Sequence, residues 1–131
     1  GFYGLTQDSS IQDMVTACFN SVAFQTKEIT SILEKYDIKV SSLLVDGGMV
    51  KNKTFCQILA NSLEKEILQP QNVESTALGA CIVAMAASGD DLNNIKASDM
   101  DIFKPNVENT ISSKKSYDEW KSYLIHTMRS K

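Results

Sequence analysis

The sequence predicts an α/β fold in the order helix, strand, helix, strand, helix, with a further helix at the C-terminus. Apolar residues recur with helical spacing through residues 11–36, and two short apolar runs follow at residues 43–45 and 66–70. A helix between two strands predicts one parallel crossover. Because two strands do not form a stable sheet alone, we expect an incomplete domain whose remaining strands lie upstream.

The composition predicts one folded domain of ordinary character. The chain has 131 residues, of which 43% are hydrophobic and 22% charged, and its net charge is −3. This balance argues against disorder and against binding to the phosphate backbone of a nucleic acid. No apolar run reaches the length of a membrane span. The chain starts at Gly1 with no signal peptide and no initiator methionine, so we expect it to begin inside a longer protein.

The helical segments have distinct starts and stops. In the first helix, Ser10 is one of three candidate N-caps, and Asp13 lies near the positive end of the helix dipole. A second helix is predicted over residues 52–64 and a third over 77–87. The third is apolar nearly all round, which is typical of a helix buried inside a protein. Residues 90–115 read as a polar, loop-like connector, and an amphipathic helix is predicted over 117–128. The predicted stripe of the first helix consists of Ile11, Met14, Val15, Cys18, Val22, Ile29, Leu33 and Tyr36.

The three cysteines, Cys18, Cys56 and Cys81, have no metal-ligand spacing. An odd number of cysteines inside apolar helical patterns predicts reduced thiols that act as small hydrophobic residues. His126 is the only histidine, so neither a zinc site nor a His-based triad finds its partners in this sequence.

A pair of glycines, Gly47 and Gly48, follows the first strand and precedes a helix. Without a Cβ the backbone can lie close to a ligand, and a helix N-terminus favours an anion. Ligands of open α/β sheets bind beyond the carboxyl ends of the strands. The turn is therefore a candidate nucleotide or phosphate site. The alternative is a strand-to-helix turn without a ligand, in which the glycines are present only because the backbone conformation requires them.

Three sequence blocks occur in order: Gly4–Gln7 with Val22–Thr26, then Val45–Met49 with Asn52, and finally Pro70 with Glu74–Ala80. Together they resemble the C-terminal region of a family of carbohydrate kinases that have the actin- or hexokinase-like ATPase fold. The tail, with Phe103–Pro105 and Ser116–Lys121, resembles the members that phosphorylate glycerol. The family has two ribonuclease-H-like domains, with ATP and substrate in the cleft between them. The resemblance implies that this chain is the later part of the second domain.

The resemblance also implies roles for a few residues. Gly48 and Asn52 match family positions that contact the adenosine end of ATP, with Asn52 one turn into its helix, and Gly47 shapes the turn. From its position at the end of the strand, Asp46 is interpreted as a carboxylate that braces the loop or caps the helix rather than a general base. Glu74 matches a family position and either braces the nucleotide loop or merely precedes a helix. No catalytic residue and no metal ligand is assigned to this chain. The base, the phosphate loops, the Mg ligands and the glycerol pocket are expected upstream, so the fragment alone is predicted to be inactive.

Further expectations concern organisation and alternatives. We predict that residues 1–89 form the nucleotide side of the second kinase domain, and that residues 90–131 form a connector and helix packed on the same domain. The parent is expected to be a cytoplasmic kinase that binds ATP or ADP, with its oligomeric state left open. The alternatives are another sugar kinase of the family, a non-catalytic kinase-like regulatory protein, and an unrelated nucleotide binder. The sequence differs from the family at Lys53, Asn61, Ser62 and Cys81, and we interpret these differences as surface and packing changes.

Overall fold

The computed structural model describes residues 1–71, 75–92 and 99–129 and confirms the α/β class. Helices and strands alternate along the described residues as predicted, with one additional strand near the C-terminus. The elements are α1 (Ile11–Lys35), β1 (Ser42–Leu44), a 3₁₀ helix (Gly48–Lys51), α2 (Lys53–Leu63), β2 (Glu66–Pro70), α3 (Ser75–Ser88), β3 (Met100–Phe103) and α4 (Val107–Arg129).

The sheet contains β1, β2 and β3 in that order. β1 runs parallel to β2, with Leu43 opposite Ile67, as the crossover prediction requires. β3 runs antiparallel to β2, with Phe103 opposite Ile67. The prediction of a polar, loop-like stretch over 90–115 was therefore wrong, because β3 and the first turns of α4 lie within it. The further upstream strands stay a prediction, as does the division at residue 89.

α1 begins where the sequence predicts and buries a different face. Ser10 is the N-cap, and its Oγ accepts a hydrogen bond from the backbone N–H of Asp13 at 3.2 Å. The Asp13 carboxylate accepts the Ser10 backbone N–H in return, which completes a capping box. The predicted apolar stripe was wrong for most of its length, since Ile11 is 76% exposed. Ala23 and Phe24 are buried instead, because α2 and α4 pack on that side of α1.

The core lies between α1, α2 and one face of the sheet. α2 provides most of it, because its apolar side chains meet both α1 and β2. Burial of these apolar side chains away from water is the main stabilising contribution to the fold. The buried core residues are Ala23, Val50, Phe55, Cys56, Leu59, Ala60, Leu63 and Ile67.

Two polar residues of α2 are buried at its contact with α4. Asn61 is 7% exposed and Ser62 is 1% exposed, so of the surface and packing changes predicted for the differing family positions, this pair belongs to the packing. The hydroxyls of Ser62 and Ser113 share a hydrogen bond of 2.8 Å. Such pairing is required because a buried polar group without a partner destabilises the fold.

α3 differs most from its prediction. We expected a buried helix, but Leu78 is 39% exposed and Val83 is 70% exposed. No other element in the described part of the chain packs extensively against α3, so its apolar side chains face solvent here. Cys81 on α3 and Cys18 on α1 are exposed as well, and only Cys56 is buried as the sequence predicts. None of the described helices is both long and apolar enough to cross a membrane.

Candidate functional site

The glycine turn starts at the carboxyl end of β1, beyond its last pairing with β2. The backbone N–H of Val45 still donates to the Leu68 carbonyl at 3.0 Å, which holds the end of the strand in the sheet. The next residue, Asp46, turns its carboxylate onto the backbone N–H of Gly47 at 2.7 Å. This contact is the bracing role that the sequence favoured for Asp46. A carboxylate occupied in this way fixes the direction in which the chain leaves the sheet.

Gly47 adopts a backbone conformation that other residues rarely reach. Its φ is 101° and its ψ is 177°, and it precedes the 3₁₀ helix as the N-cap residue. An L-residue with a Cβ is strained at this φ, so a glycine is required here by backbone geometry alone. Gly47 therefore shapes the turn, and its presence does not by itself indicate a ligand.

Gly48 has no comparable internal requirement. Its φ lies outside the left-handed region. A Cβ built at this position meets nothing within 4 Å. The surface above Gly48 is thus open, and packing within this chain does not demand a glycine there. A ligand that lies against the backbone would demand one.

The 3₁₀ helix that begins at Gly48 is held in place by its contact with the core. Val50 is 5% exposed and packs in the core cluster, and its carbonyl accepts a hydrogen bond from the Cys56 thiol at 3.2 Å. Cys56 is fully buried, and burial raises the pKa of its thiol. The contact was not predicted, because it depends on the break between the 3₁₀ helix and α2, where Asn52 has an extended backbone. It ties the position of the glycine turn to the first turn of α2.

Asn52 lies at the junction of the two helices and caps α2. Its Oδ1 accepts hydrogen bonds from the backbone N–H groups of Thr54 at 3.0 Å and Phe55 at 3.3 Å. The expectation that Asn52 lies one turn into the helix was wrong, because Asn52 is the N-cap of α2 and its carbonyl oxygen serves the helix end. The side chain is exposed. Its Nδ2 group is the donor that it can still present to a ligand.

The structure therefore brings Gly47, Gly48 and Asn52 together around one short, exposed turn at the carboxyl end of β1. The arrangement offers a flat backbone surface and an amide donor, and it contributes no nucleophile. The described residues contain no group of three or more His, Cys, Asp or Glu side chains that could hold a metal ion. Glu74, the other predicted contact, lies outside the described residues.

The aromatic residues of α4 serve packing. The Trp120 ring lies 5.7 Å from the Phe24 ring between centroids, and the Tyr117 ring lies 5.6 Å from Phe24. Aromatic rings at these separations contribute both buried area and favourable edge contacts. The cluster fastens α4 to α1 and is formed by other elements than the glycine turn.

Comparisons with known proteins place the chain in a family. Residues 1–88 match the model of the FGGY family of carbohydrate kinases, C-terminal domain. A glycerol kinase of Haloferax volcanii is 44% identical over 87 residues, covering 66% of this chain and 17% of the relative. A glycerol kinase of Alkaliphilus metalliredigens is 36% identical over 131 residues, covering 96% of this chain and 26% of the relative. The chain thus spans about a quarter or less of the curated relatives that it matches.

Solved structures agree with the family match. The glycerol kinase of Plasmodium falciparum with ADP superposes with a TM-score of 0.72 and 28% identity, covering 95% of this chain and 26% of that one. A xylulose kinase of Rhodospirillum rubrum gives a TM-score of 0.78 at 19% identity, covering 99% and 27%, which shows a shared fold. The predicted ribonuclease-H-like fold is confirmed by these neighbours together with the family match. The chain belongs to the FGGY family of carbohydrate kinases, whose C-terminal domain it matches.

Proposed function

We propose that this chain is the C-terminal part of an ATP-dependent glycerol kinase, which converts glycerol and ATP to glycerol 3-phosphate and ADP. Two kinds of similarity support glycerol as the substrate. The curated relatives named above are glycerol kinases, and one of them aligns over 96% of this chain. The xylulose kinase shares the fold at lower identity than the Plasmodium falciparum glycerol kinase does.

Within that enzyme, we assign the glycine turn to one wall of the adenosine pocket. Gly48 is the observation that carries this assignment, because neither its backbone angles nor its neighbours require a glycine. Gly47 sets the turn, Gly48 lies against the nucleotide, and Asn52 presents its Nδ2 group to an acceptor on adenine. Adenine offers ring nitrogens as acceptors, so a single donor is enough for a specific contact.

The chemical step belongs to the rest of the enzyme. In-line phosphoryl transfer needs a carboxylate to accept the hydroxyl proton and donors around the transferred phosphoryl group. Magnesium supplies charge neutralisation on the phosphates when it is bound, and its ligands are expected in the upstream part of the enzyme. This chain holds and orients the nucleotide. Alone it is expected to transfer no phosphoryl group.

A cytoplasmic location is part of the same proposal. Cys18, Cys56 and Cys81 are all free, and two of them are exposed. Exposed free thiols are typical of a reducing compartment, where disulfides are rare. ATP and glycerol are the partners that such a kinase would meet there.

The test uses a full-length chimaera in which residues 1–131 replace the matching segment of the Alkaliphilus metalliredigens kinase. Gly48→Ala is expected to raise the KM for ATP at least about fivefold, because a methyl group intrudes on the nucleotide, and to leave the KM for glycerol unchanged. The unfolding temperature is expected to stay unchanged, since the added Cβ meets no protein atom. Equal changes in both KM values would contradict the adenosine assignment.

A further inference from the structure

Both ends of the glycine turn are held by contacts that lead to consecutive residues of β2, the central strand of the sheet. The chain enters the turn at Val45, whose backbone N–H donates to the Leu68 carbonyl at 3.0 Å. It leaves the turn at Val50, whose carbonyl accepts the Cys56 thiol at 3.2 Å. The Cys56 sulfur also lies 3.9 Å from Oε1 of Gln69, which follows Leu68 in β2. Both glycines lie between these two contacts.

The contact at the end of the turn is buried, although the turn itself is exposed. Cys56 is fully buried, Val50 is 5% exposed and Gln69 is 7% exposed. Residues 46–49 are all exposed. Because water does not compete for a buried hydrogen bond, the thiol keeps the Val50 carbonyl in one place. The backbone of Gly48 is therefore open to a ligand and is held only two residues away.

The direction of this hydrogen bond is unusual for a side chain on a helix. Serine and threonine within a helix commonly donate to a carbonyl of their own helix, three or four residues earlier. The Cys56 thiol instead donates out of α2, to the carbonyl of Val50 in the 3₁₀ helix. A side chain that served only to fill the core would need no such acceptor. The contact thus acts on the turn as well as on the core.

We infer that Cys56 is a positioning residue for nucleotide binding, because its thiol holds the Val50 carbonyl and, through it, the backbone of Gly48 that receives the adenosine. The inference rests on the proposed function, since the turn must be a wall of the nucleotide pocket. Cys56 itself is buried and does not touch the nucleotide. It acts by preorganisation, because a turn that is already held in its binding conformation needs no further ordering when the ligand arrives.

The size of the effect follows from the fraction of molecules whose turn is in place. The apparent affinity for a ligand falls in proportion to the fraction of the protein that can bind it. The loss of one hydrogen bond changes such an equilibrium about threefold to tenfold. The contact of Val45 with Leu68 remains when the thiol is removed, so the start of the turn stays in the sheet. We therefore expect weakened nucleotide binding and not an unfolded protein.

The experiment compares three substitutions on α2 in the full-length chimaera. Cys56→Ala removes the donor and one heavy atom from the core. The control Leu63→Val also removes one heavy atom from a buried side chain, about two turns further along α2. Both should lower the unfolding temperature by similar amounts, because both leave a small cavity. Cys56→Ser keeps a donor at the position of the thiol.

The measurements are the dissociation constant for ADP by titration calorimetry and the two KM values. Cys56→Ala is expected to raise the dissociation constant for ADP and the KM for ATP about threefold to tenfold and to leave the KM for glycerol unchanged. Leu63→Val should change none of the three, although it destabilises the fold. Cys56→Ser should bind ADP within about twofold of the unsubstituted chimaera, because its hydroxyl restores the hydrogen bond.

Two results would overturn the inference. Equal affinities for ADP in Cys56→Ala and Leu63→Val would show that Cys56 only fills the core, and Cys56→Ser binding as weakly as Cys56→Ala would show that the hydrogen bond is not the cause. Gly48→Ala in the same titration separates the inference from the proposed function. If Gly48→Ala weakens ADP binding and Cys56→Ala does not, the inference is wrong and the adenosine assignment stands. If neither weakens it, the adenosine assignment is wrong as well.

Discussion

The buried side chain of Asn61 in α2 fixes the point at which α4 begins, because its Oδ1 accepts the backbone N–H of Asn106 at 2.9 Å. Asn106 in turn caps α4, since its Oδ1 accepts the backbone N–H of Asn109 at 3.2 Å. The same Asn61 oxygen also accepts Gln57 Nε2 at 3.0 Å. One buried amide thus connects the middle of α2 with the N-cap of the C-terminal helix.

Removing this amide should loosen α4. Asn61→Ala leaves the Asn106 N–H and the Gln57 amide without their shared acceptor in a partly buried contact, and we expect a loss of about 1–3 kcal/mol in the free energy of unfolding. Asn109→Ala, which truncates an exposed side chain on the first turn of α4, is the control and should change it by less than about 0.5 kcal/mol. Urea unfolding of residues 1–131, followed by the fluorescence of Trp120, measures both. Similar small losses would show that Asn61 is not the anchor of α4.

The three cysteines should react at very different rates. Cys18 and Cys81 are exposed, whereas Cys56 is fully buried, donates to the Val50 carbonyl and has its thiol pKa raised by burial. Because the thiolate is the reactive species, iodoacetamide should alkylate the first two in native residues 1–131 and spare the third until the chain unfolds. Peptide mass spectrometry after timed labelling measures the three rates. Labelling of Cys56 as fast as Cys18 would contradict the packing beneath the 3₁₀ helix.

The fold was predictable where the pattern is local and strong. The capping box at Ser10, the strand 66–70 and the α/β order follow from residues that are close in sequence. β3 was missed because Met100–Phe103 is short and interrupted by Asp101, and it becomes a strand only by pairing with β2, some 30 positions earlier. The first turns of α4 are rich in serine, threonine and asparagine, which are weak helix formers, and the distant Asn61 supports them.

The candidate site was predictable in place and only partly in detail. The glycine pair after a strand indicates a turn at the carboxyl end of the sheet, and the structure has that turn. The sequence alone does not show that Gly47 must be a glycine and that Gly48 need not be one. Gly47 has a positive φ, whereas Gly48 does not and has space for a Cβ, and both facts are visible only in the structure. The burial of α3 was predicted from composition alone. An apolar composition indicates that a helix packs against other elements, but it does not show whether those elements belong to this stretch of chain.

Two substitutions at Asn52 should separate its helix cap from the donor that we assign to adenine. In Asn52→Asp the carboxylate still accepts the Thr54 and Phe55 N–H groups and is favoured at a helix N-terminus, so stability is expected to be unchanged or slightly higher. The Nδ2 donor is lost, and the KM for ATP of the chimaera should rise. Asn52→Ala should raise it too and also cost about 1 kcal/mol of stability. If Asn52→Asp leaves the KM for ATP unchanged, Asn52 is a helix cap alone.

The strand-to-helix turn itself should depend on Gly47 in a way that does not involve ATP. Gly47→Ala places a Cβ at a φ of 101°, and strain of this kind costs about 1–3 kcal/mol. Residues 1–131 without nucleotide are expected to show this loss in urea unfolding. Gly48→Ala, the neighbouring control, should show none, because its backbone angle lies outside the left-handed region. Equal losses for the two variants would indicate that packing, rather than backbone angle, decides both positions.

A charged cluster between α1 and α4 should make their contact depend on pH at both ends of the range. Glu28 accepts hydrogen bonds from Lys121 Nζ at 2.8 Å and from the Tyr117 hydroxyl, and these lower the pKa of its carboxyl. The hydrogen bond to Glu28 raises the pKa of Lys121, and burial first of all raises that of Tyr117. The lowered carboxyl pKa stabilises the fold above about pH 4.3, and this stabilisation is lost as pH falls through the folded value. The raised pKa values of Lys121 and Tyr117 stabilise the fold below about pH 10, and this stabilisation is lost as the pH rises above it.

Glu28→Gln tests the acid side of this dependence. At pH 7 we expect the variant to be less stable by at most about 1 kcal/mol, because the Glu28 side chain is 34% exposed and solvent screens the pair. The difference should shrink as pH falls below about 4.3, because the ion pair is lost as the pH passes through the lowered pKa of the folded carboxyl. Glu119→Gln, an exposed carboxylate on α4, is the control for general charge effects. Urea unfolding at pH 7, 5 and 3 measures all three proteins. A difference for Glu28→Gln that stays constant across this range would show that the ion pair contributes nothing, and that the side chain acts only through its packing and its neutral hydrogen bonds.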